Sequence, residues 1–205
     1  MRNEIMRQLV HMSGLAFIAL AFLVDKMSAG IMFMLAALFF LLYSEYVTKC
    51  GKSHRTLLSR LECRLREFAL MFERRDVKRP FTGAFWFYFG AGLAFLLFPL
   101  MPAAAAAATL AVSDSLSTII GKRFGKHAIL GKKTLEGTAA FFASAFLMCT
   151  LFLGPLMGFA GAVFATLAEL FPEWRGASSS RLSGVLDDNL LIPVITGFVL
   201  SLVIL

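Results

Sequence analysis

The chain has 205 residues, 59% of them hydrophobic and only 16% charged, and Phe alone accounts for 22. Soluble domains are about one-quarter charged and still expose roughly 30% of their surface at this length, so this much apolar sequence excludes a large water-soluble domain. Lys and Arg outnumber Asp and Glu by 20 to 13; a nucleic-acid binder would explain the charge but not the Phe content, whereas a multi-span membrane protein with its cations on one side explains both.

A bilayer-crossing helix needs about 20 mostly apolar residues. Segments of that kind run approximately over 7–24, 30–47, 81–99, 103–121, 135–153, 155–171 and 189–205. They predict an all-α, polytopic helix bundle of about seven spans in a single integral-membrane domain, 1–205. The sixth segment is marginal in length, which leaves six spans as the alternative. Arg2 and Arg7 before the apolar run imitate a signal peptide. The run ends at Asp25-Lys26 without a small-residue cleavage site, however, and is read as a retained first span. Cys50, Cys63 and Cys149 form no CxxC pair, so neither a disulfide framework nor a zinc site is expected.

Charge sets the orientation. With seven alternating spans, the N-terminus and the segments 48–80, 122–134 and 172–188 share one side and hold 19 of the 20 Lys and Arg; Lys26 alone lies opposite. The positive-inside rule then places the N-terminus and the long polar segments in the cytoplasm. The expected location is the cell (inner) membrane of a prokaryote or the endoplasmic reticulum of a eukaryote, with an active site facing the cytoplasm. In 48–80, Leu57, Leu61, Leu65, Phe68 and Phe72 recur every three or four residues among six arginines, which predicts a basic amphipathic helix in the interface. The run Ala103 to Ala108 offers small side chains for close helix packing.

The fourth span carries Ser113-Asp114-Ser115-Leu116-Ser117-Thr118. Asp114 lies seven residues before Gly121, about 10 Å below the expected cytoplasmic end. A carboxylate there costs several kcal/mol unless it faces a cavity, a cation or a partner. Asp114, Ser117, Thr118 and Gly121 share one helix face, a polar stripe leading to the mouth. Next comes a loop with Gly121, Gly125 and Gly131 and the cations Lys122, Arg123, Lys126, Lys132 and Lys133, before Thr134. Glycines that let amides approach and cations that neutralise charge can wrap a polyphosphate. It is not a P-loop, since its glycine spacing differs and no strand is expected before it. Lys126 and His127 read as ordinary loop residues.

Glu136 and Gly137 open the fifth span, where a carboxylate also complements the helix dipole. Asp187-Asp188-Asn189 precede the last span, where Asp and Asn are good N-caps. A cap needs one residue, though, and two adjacent carboxylates repel unless a cation binds. An oxygen-rich cluster on the side of the basic loop suggests Mg²⁺ bridging to phosphate oxygens. Glu169, near the inner end of the sixth span, is a further candidate.

The order Asp114-x6-Gly121-Lys-Arg-Phe-Gly-Lys, then Gly131-Lys-Lys-Thr-Leu-Glu-Gly137, then Glu169-Leu-Phe-Pro and Asp187-Asp-Asn-Leu-Leu-Ile-Pro193 resembles the CTP-dependent lipid kinases, which include dolichol, phytol and yeast-type diacylglycerol kinases. Glu4, Arg7, His11 and Gly14 are similar to the family's opening pattern, although Gln8 stands where Lys is usual. The resemblance implies phosphoryl transfer from CTP to the hydroxyl of a membrane lipid such as a polyprenol, a phytol-type alcohol or diacylglycerol. In that scheme Asp114, Asp187 and Asp188 hold Mg²⁺, and Asp114, Lys133 and Glu136 act in catalysis. Gly121, Lys122, Arg123, Gly125, Gly131, Lys132, Thr134, Gly137 and Asn189 bind the nucleotide, Glu136 positioning the loop lysines. Glu169, His11 and Arg7 support them.

The stretch 114–137 is also similar to phosphatidate cytidylyltransferase, which stays the alternative. That family's Gly-rich Asp-Arg-x-Asp ending is absent here, which favours the kinase. A small cation-coupled transporter using Asp114 would need polar residues in both halves of its spans, and nearly all ionisable residues here fall in one half.

Overall fold

The computed structural model describes residues 2–49, 80–175 and 187–202. The amphipathic helix expected over 48–80 therefore lies, apart from its ends, outside the described residues. Among them, seven helices fall on the seven predicted segments. Four are long and apolar enough to cross a membrane: Lys26–Thr48, Leu100–Phe124, Leu135–Leu153 and Pro155–Trp174. The apolar stretches His11–Ala21, Thr82–Leu97 and Asp188–Leu202 are shorter.

Helix α1 (Arg2–Ala21) turns into α2 (Lys26–Lys49), where the Asp25 carboxylate accepts the Ser28 N–H at 2.9 Å and caps the first turn. Helix α3 (Thr82–Leu97) packs along α2, and the rings of Phe33 and Phe95 stack between them at 5.5 Å. Phe81, just before α3, adopts a left-handed φ of 65°. Burial of its ring against Tyr43, 5.2 Å between centroids, offsets a backbone cost of about 1–2 kcal/mol.

The centre of the bundle is a rod running from Leu100 to Phe124. It comprises α4 (Leu100–Thr109), one π-helical turn (Leu110–Asp114) and α5 (Ser115–Phe124). Ala103 to Ala108 are at most 2% exposed, because methyl side chains let neighbouring helices approach this close. The rod extends three residues beyond the predicted span at each end. Asp114 therefore lies ten residues before its C-terminal end, about 15 Å rather than about 10 Å.

After the rod, β1 (Ala128–Leu130) pairs antiparallel with β2 (Lys133–Thr134). A strand does precede Gly131, contrary to the sequence expectation, and the all-α bundle carries this small hairpin. Three factors escape a hydropathy reading here: the strands are short, Gly131 turns at φ 53°, and the register is irregular. Helix α6 (Leu135–Leu153) begins where predicted, and Gly154 at φ 81° reverses the chain into α7 (Pro155–Trp174). Helix α8 (Asp188–Leu202) packs on α7, α3 and the rod.

Large apolar side chains remain on the outside. Leu23, Leu156 and Leu151 are 81%, 77% and 68% exposed, and Phe39 and Leu42 of α2 are 60% exposed. Water would penalise such a surface and acyl chains would not, which identifies it as the lipid-facing side of a membrane protein.

Candidate active site

Four elements converge on the C-terminal half of the rod. Asp114 closes the π turn and is 8% exposed. A π turn inserts one extra residue per turn and so rotates the side chains beyond it, a device frequent at functional sites. One helical turn onward, Ser117 donates to Glu169 Oε1 of α7 at 3.2 Å. Lys133 of β2 donates to the same oxygen at 2.6 Å, and its Nζ lies 3.5 Å from Asp188 Oδ2 of α8. Burial opposes the charge of Lys133, but Asp188, Glu169 and Asp114 outweigh it and hold the ammonium above its usual range. Asp114 thus belongs to the same electrostatic cluster.

Asp187 caps α8: its Oδ1 accepts the Asn189 N–H at 3.0 Å and the Asn189 side-chain amide at 2.8 Å. The capping reading of this motif therefore holds, and Asp188 shares it: its Oδ1 accepts the same N–H at 3.1 Å and the same amide at 3.4 Å. Burial, and then the adjacent Asp188, push Asp187 up to about 7 against the opposing pull of the Asn189 bonds.

The loop glycines have a structural account of their own. A methyl group on Gly125 would fall 2.7 Å from Thr134 Oγ1, and one on Gly121 or Gly137 would fall 3.1 Å from it. Thr134 caps α6 by accepting the Gly137 N–H at 3.3 Å. The three glycines therefore pack the end of α5 against the start of α6 around one hydroxyl. A methyl on Gly131 would collide with the carboxylate of Glu173. Close packing accounts for Gly121, Gly125 and Gly137 and the left-handed φ of 53° for Gly131, and a role in admitting phosphate is additional.

Glu136 anchors the hairpin. Its Oε2 accepts the Lys126 and His127 N–H groups at 3.1 and 3.4 Å, and its Oε1 lies 2.7 Å from His127 Nδ1. It holds the loop backbone ahead of the lysines, so His127 is more than an ordinary loop residue. Replacing Glu136 with Ala should speed hydrogen exchange at the Lys126 and His127 amides while leaving the amides within α6 protected. Unchanged exchange at those two amides would show that Glu136 does not anchor the hairpin.

Lys122, Arg123 and Lys132 are exposed, the first two on the last turn of α5 and the third in the hairpin turn before Lys133. His11 is buried on α1 with its ring edge-on to Phe87 at 4.8 Å, in a slot that Gly14 leaves open. Arg7 lies within α1. Sequence reasoning missed the π turn, the Thr134 knot and Glu173. The knot had a readable signal, a Thr at the helix start with Gly three residues on; Glu173 had none.

Among the described residues no three His, Cys, Asp or Glu side chains are grouped as a metal site. Mg²⁺, however, is usually held by one or two carboxylates, retained water and substrate phosphates. Asp187 and Asp188 supply such a donor set. Glu169 Oε2 and Asn189 Oδ1, both buried without a hydrogen-bond partner, leave further oxygens unsatisfied in the same network. The residues present fit a divalent cation.

No family model matches the chain, and no solved structure matches it. Over 88 residues it is 42% identical to dolichol kinase of Saccharomyces cerevisiae, and over 90 residues 37% identical to that of Schizosaccharomyces pombe. These stretches cover 41% and 42% of this chain but 16% of each relative. A third relative, an uncharacterised protein of Methanocaldococcus jannaschii, is 40% identical over 91 residues, which cover 44% of this chain and 42% of that protein. The chain thus spans well under two-thirds of the length of the curated relatives it matches. Over about two-fifths of its own length it is related to the dolichol kinases.

Proposed function

From this relationship we propose that the protein is a CTP-dependent kinase that phosphorylates the hydroxyl of a membrane lipid alcohol. The observation that carries the reading is the convergence of Asp114, Lys133, Glu169 and Asp188 beside a basic hairpin, in a chain related to two dolichol kinases. The lipid is a polyprenol, a phytol-type alcohol or diacylglycerol. All seven helices span the bilayer with the N-terminus in the cytoplasm, as the one-sided cations support, and the site opens to that side.

Phosphoryl transfer needs alignment and charge neutralisation more than covalent help from the enzyme. Lys122, Arg123 and Lys132 at the rim take up the charge of the triphosphate, with Lys133 deeper. Asp187 and Asp188 would hold Mg²⁺, which neutralises β- and γ-phosphate oxygens when bound. Asp114, at the depth a lipid headgroup reaches sideways between helices, orients the hydroxyl and accepts its proton. The lipid oxygen attacks the γ-phosphorus, the bond from the γ-phosphorus to the β-bridging oxygen breaks, and CDP leaves.

The test supplies purified protein with a lipid extract, holding both lipid alcohols and lipid phosphates, and CTP labelled at the α or the γ phosphate. Label passing to the lipid from the γ position is expected. Label passing from the α position would mean CDP-lipid synthesis and overturn the kinase reading. The same assay with unlabelled ATP as competitor measures nucleotide preference.

A further inference from the structure

We infer that Glu169 is a positioning residue that sets how readily the Asp187/Asp188 pair takes a divalent cation, and that it acts through Lys133. The inference rests on the reading of that pair as the cation's ligands. One ammonium is shared unequally between two carboxylates: Lys133 Nζ is 2.6 Å from Glu169 Oε1 and 3.5 Å from Asp188 Oδ2. An ammonium and a divalent cation compete for Asp188, because like charges this close repel strongly where water is scarce. Whatever draws Lys133 toward α7 therefore frees Asp188.

Glu169 is built for that pull. It is 0% exposed, Ser117 fixes its Oε1 from the opposite helix, and its Oε2 has no hydrogen-bond partner. A carboxylate so poorly solvated depends on its cation, since a buried charge stripped of its partner is costly. Lys133 is thereby tied to Glu169 and only loosely to Asp188. As a divalent cation enters, Lys133 gives up the longer contact and keeps the shorter one. With Glu169 neutral, the ammonium would settle on Asp188 and the cation would have to displace it.

Mn²⁺ alone is the probe, titrated without nucleotide or lipid into the purified full chain in detergent, with bound ion read by electron paramagnetic resonance. Glu169→Gln should weaken Mn²⁺ binding about tenfold, the usual order for loss of a residue supporting a ligand. Adding Lys133→Met to Glu169→Gln should restore binding to the wild-type level or tighter, since the competing ammonium is gone. This double variant leaves no carboxylate stranded at the fully buried position 169, so it remains informative even if Lys133→Met alone does not fold. A Glu169→Gln protein with wild-type affinity, or a double variant as weak as Glu169→Gln, overturns the inference; the second result would mean that Glu169 acts directly on the cation. Wild-type protein that binds no Mn²⁺ overturns the assignment of Asp187 and Asp188 as ligands, and the inference with it.

Discussion

Asp114→Asn is expected to abolish turnover, by on the order of 10³-fold or more, while the protein stays folded. The exchange preserves shape and removes only charge and basicity, and a positioned proton acceptor alone contributes roughly 10²–10⁴-fold. A loss of 10³ corresponds to about 4 kcal/mol of barrier. Stability should move far less, because the two effects on folding oppose each other. Removing a carboxylate from membrane depth relieves a desolvation cost of a few kcal/mol. Lys133 loses one of its three counter-charges but keeps Glu169 at 2.6 Å and Asp188 at 3.5 Å. Turnover with labelled CTP and thermal unfolding in detergent, measured on the same preparation, separate the outcomes. Substantial residual turnover would remove Asp114 from the mechanism. A protein that no longer folds would make Asp114 a structural residue.

A second large effect is expected at a residue that carries no side chain. Gly90 of α3 lies where α3 crosses the start of α8, and a side chain there would collide with the Asn189 carbonyl oxygen and fall 3.0 Å from Pro193 Cγ and 3.1 Å from Leu190 Cα. The crossing can be this close because Pro193 has no N–H to bond the Asn189 carbonyl four residues earlier. Two of these three atoms are backbone and cannot turn aside, so Gly90→Val must push α8 away and carry Asp187 and Asp188 with it. Overpacking of this kind costs about 1–3 kcal/mol of stability. A displacement near 1 Å costs about 10²-fold in turnover. Gly83, on the same helix with nothing within 4 Å of its added methyl, is the control. Gly83→Ala should be neutral or slightly stabilising, since Ala favours helix over Gly by about 1 kcal/mol. Full turnover in Gly90→Val would show that the α3–α8 crossing does not set the acidic pair.

Among the described residues hydropathy located the helices to within about five residues, because burial of apolar side chains in lipid needs only length and composition, and both are local properties of the chain. It placed α6 at 135–153 without error and missed the ends of the rod, where Pro99 and the hairpin, rather than hydropathy, stop the helix. The candidate site was legible as residue types: a carboxylate inside a span, a basic glycine-rich segment and an Asp-Asp-Asn motif. Their roles were less so. Gly121, Gly125 and Gly137, read as openings for phosphate, also close around Thr134, and Glu136, read as positioning the lysines, holds the backbone amides of Lys126 and His127. A glycine has the same spelling whether its missing side chain faces a ligand or a neighbouring helix.

The sequence by itself determined that this is a helical membrane protein with a polar patch in its fourth apolar segment, since each follows from how single segments partition between water and lipid. Only the tertiary structure decided that Ser117, Lys133, Glu169 and Asp188, drawn from α5, the hairpin, α7 and α8, form one network around a single ammonium. Those residues are separated by up to 71 positions in the chain. Contacts over that separation depend on the packing of the rod against its neighbours, which no local pattern records.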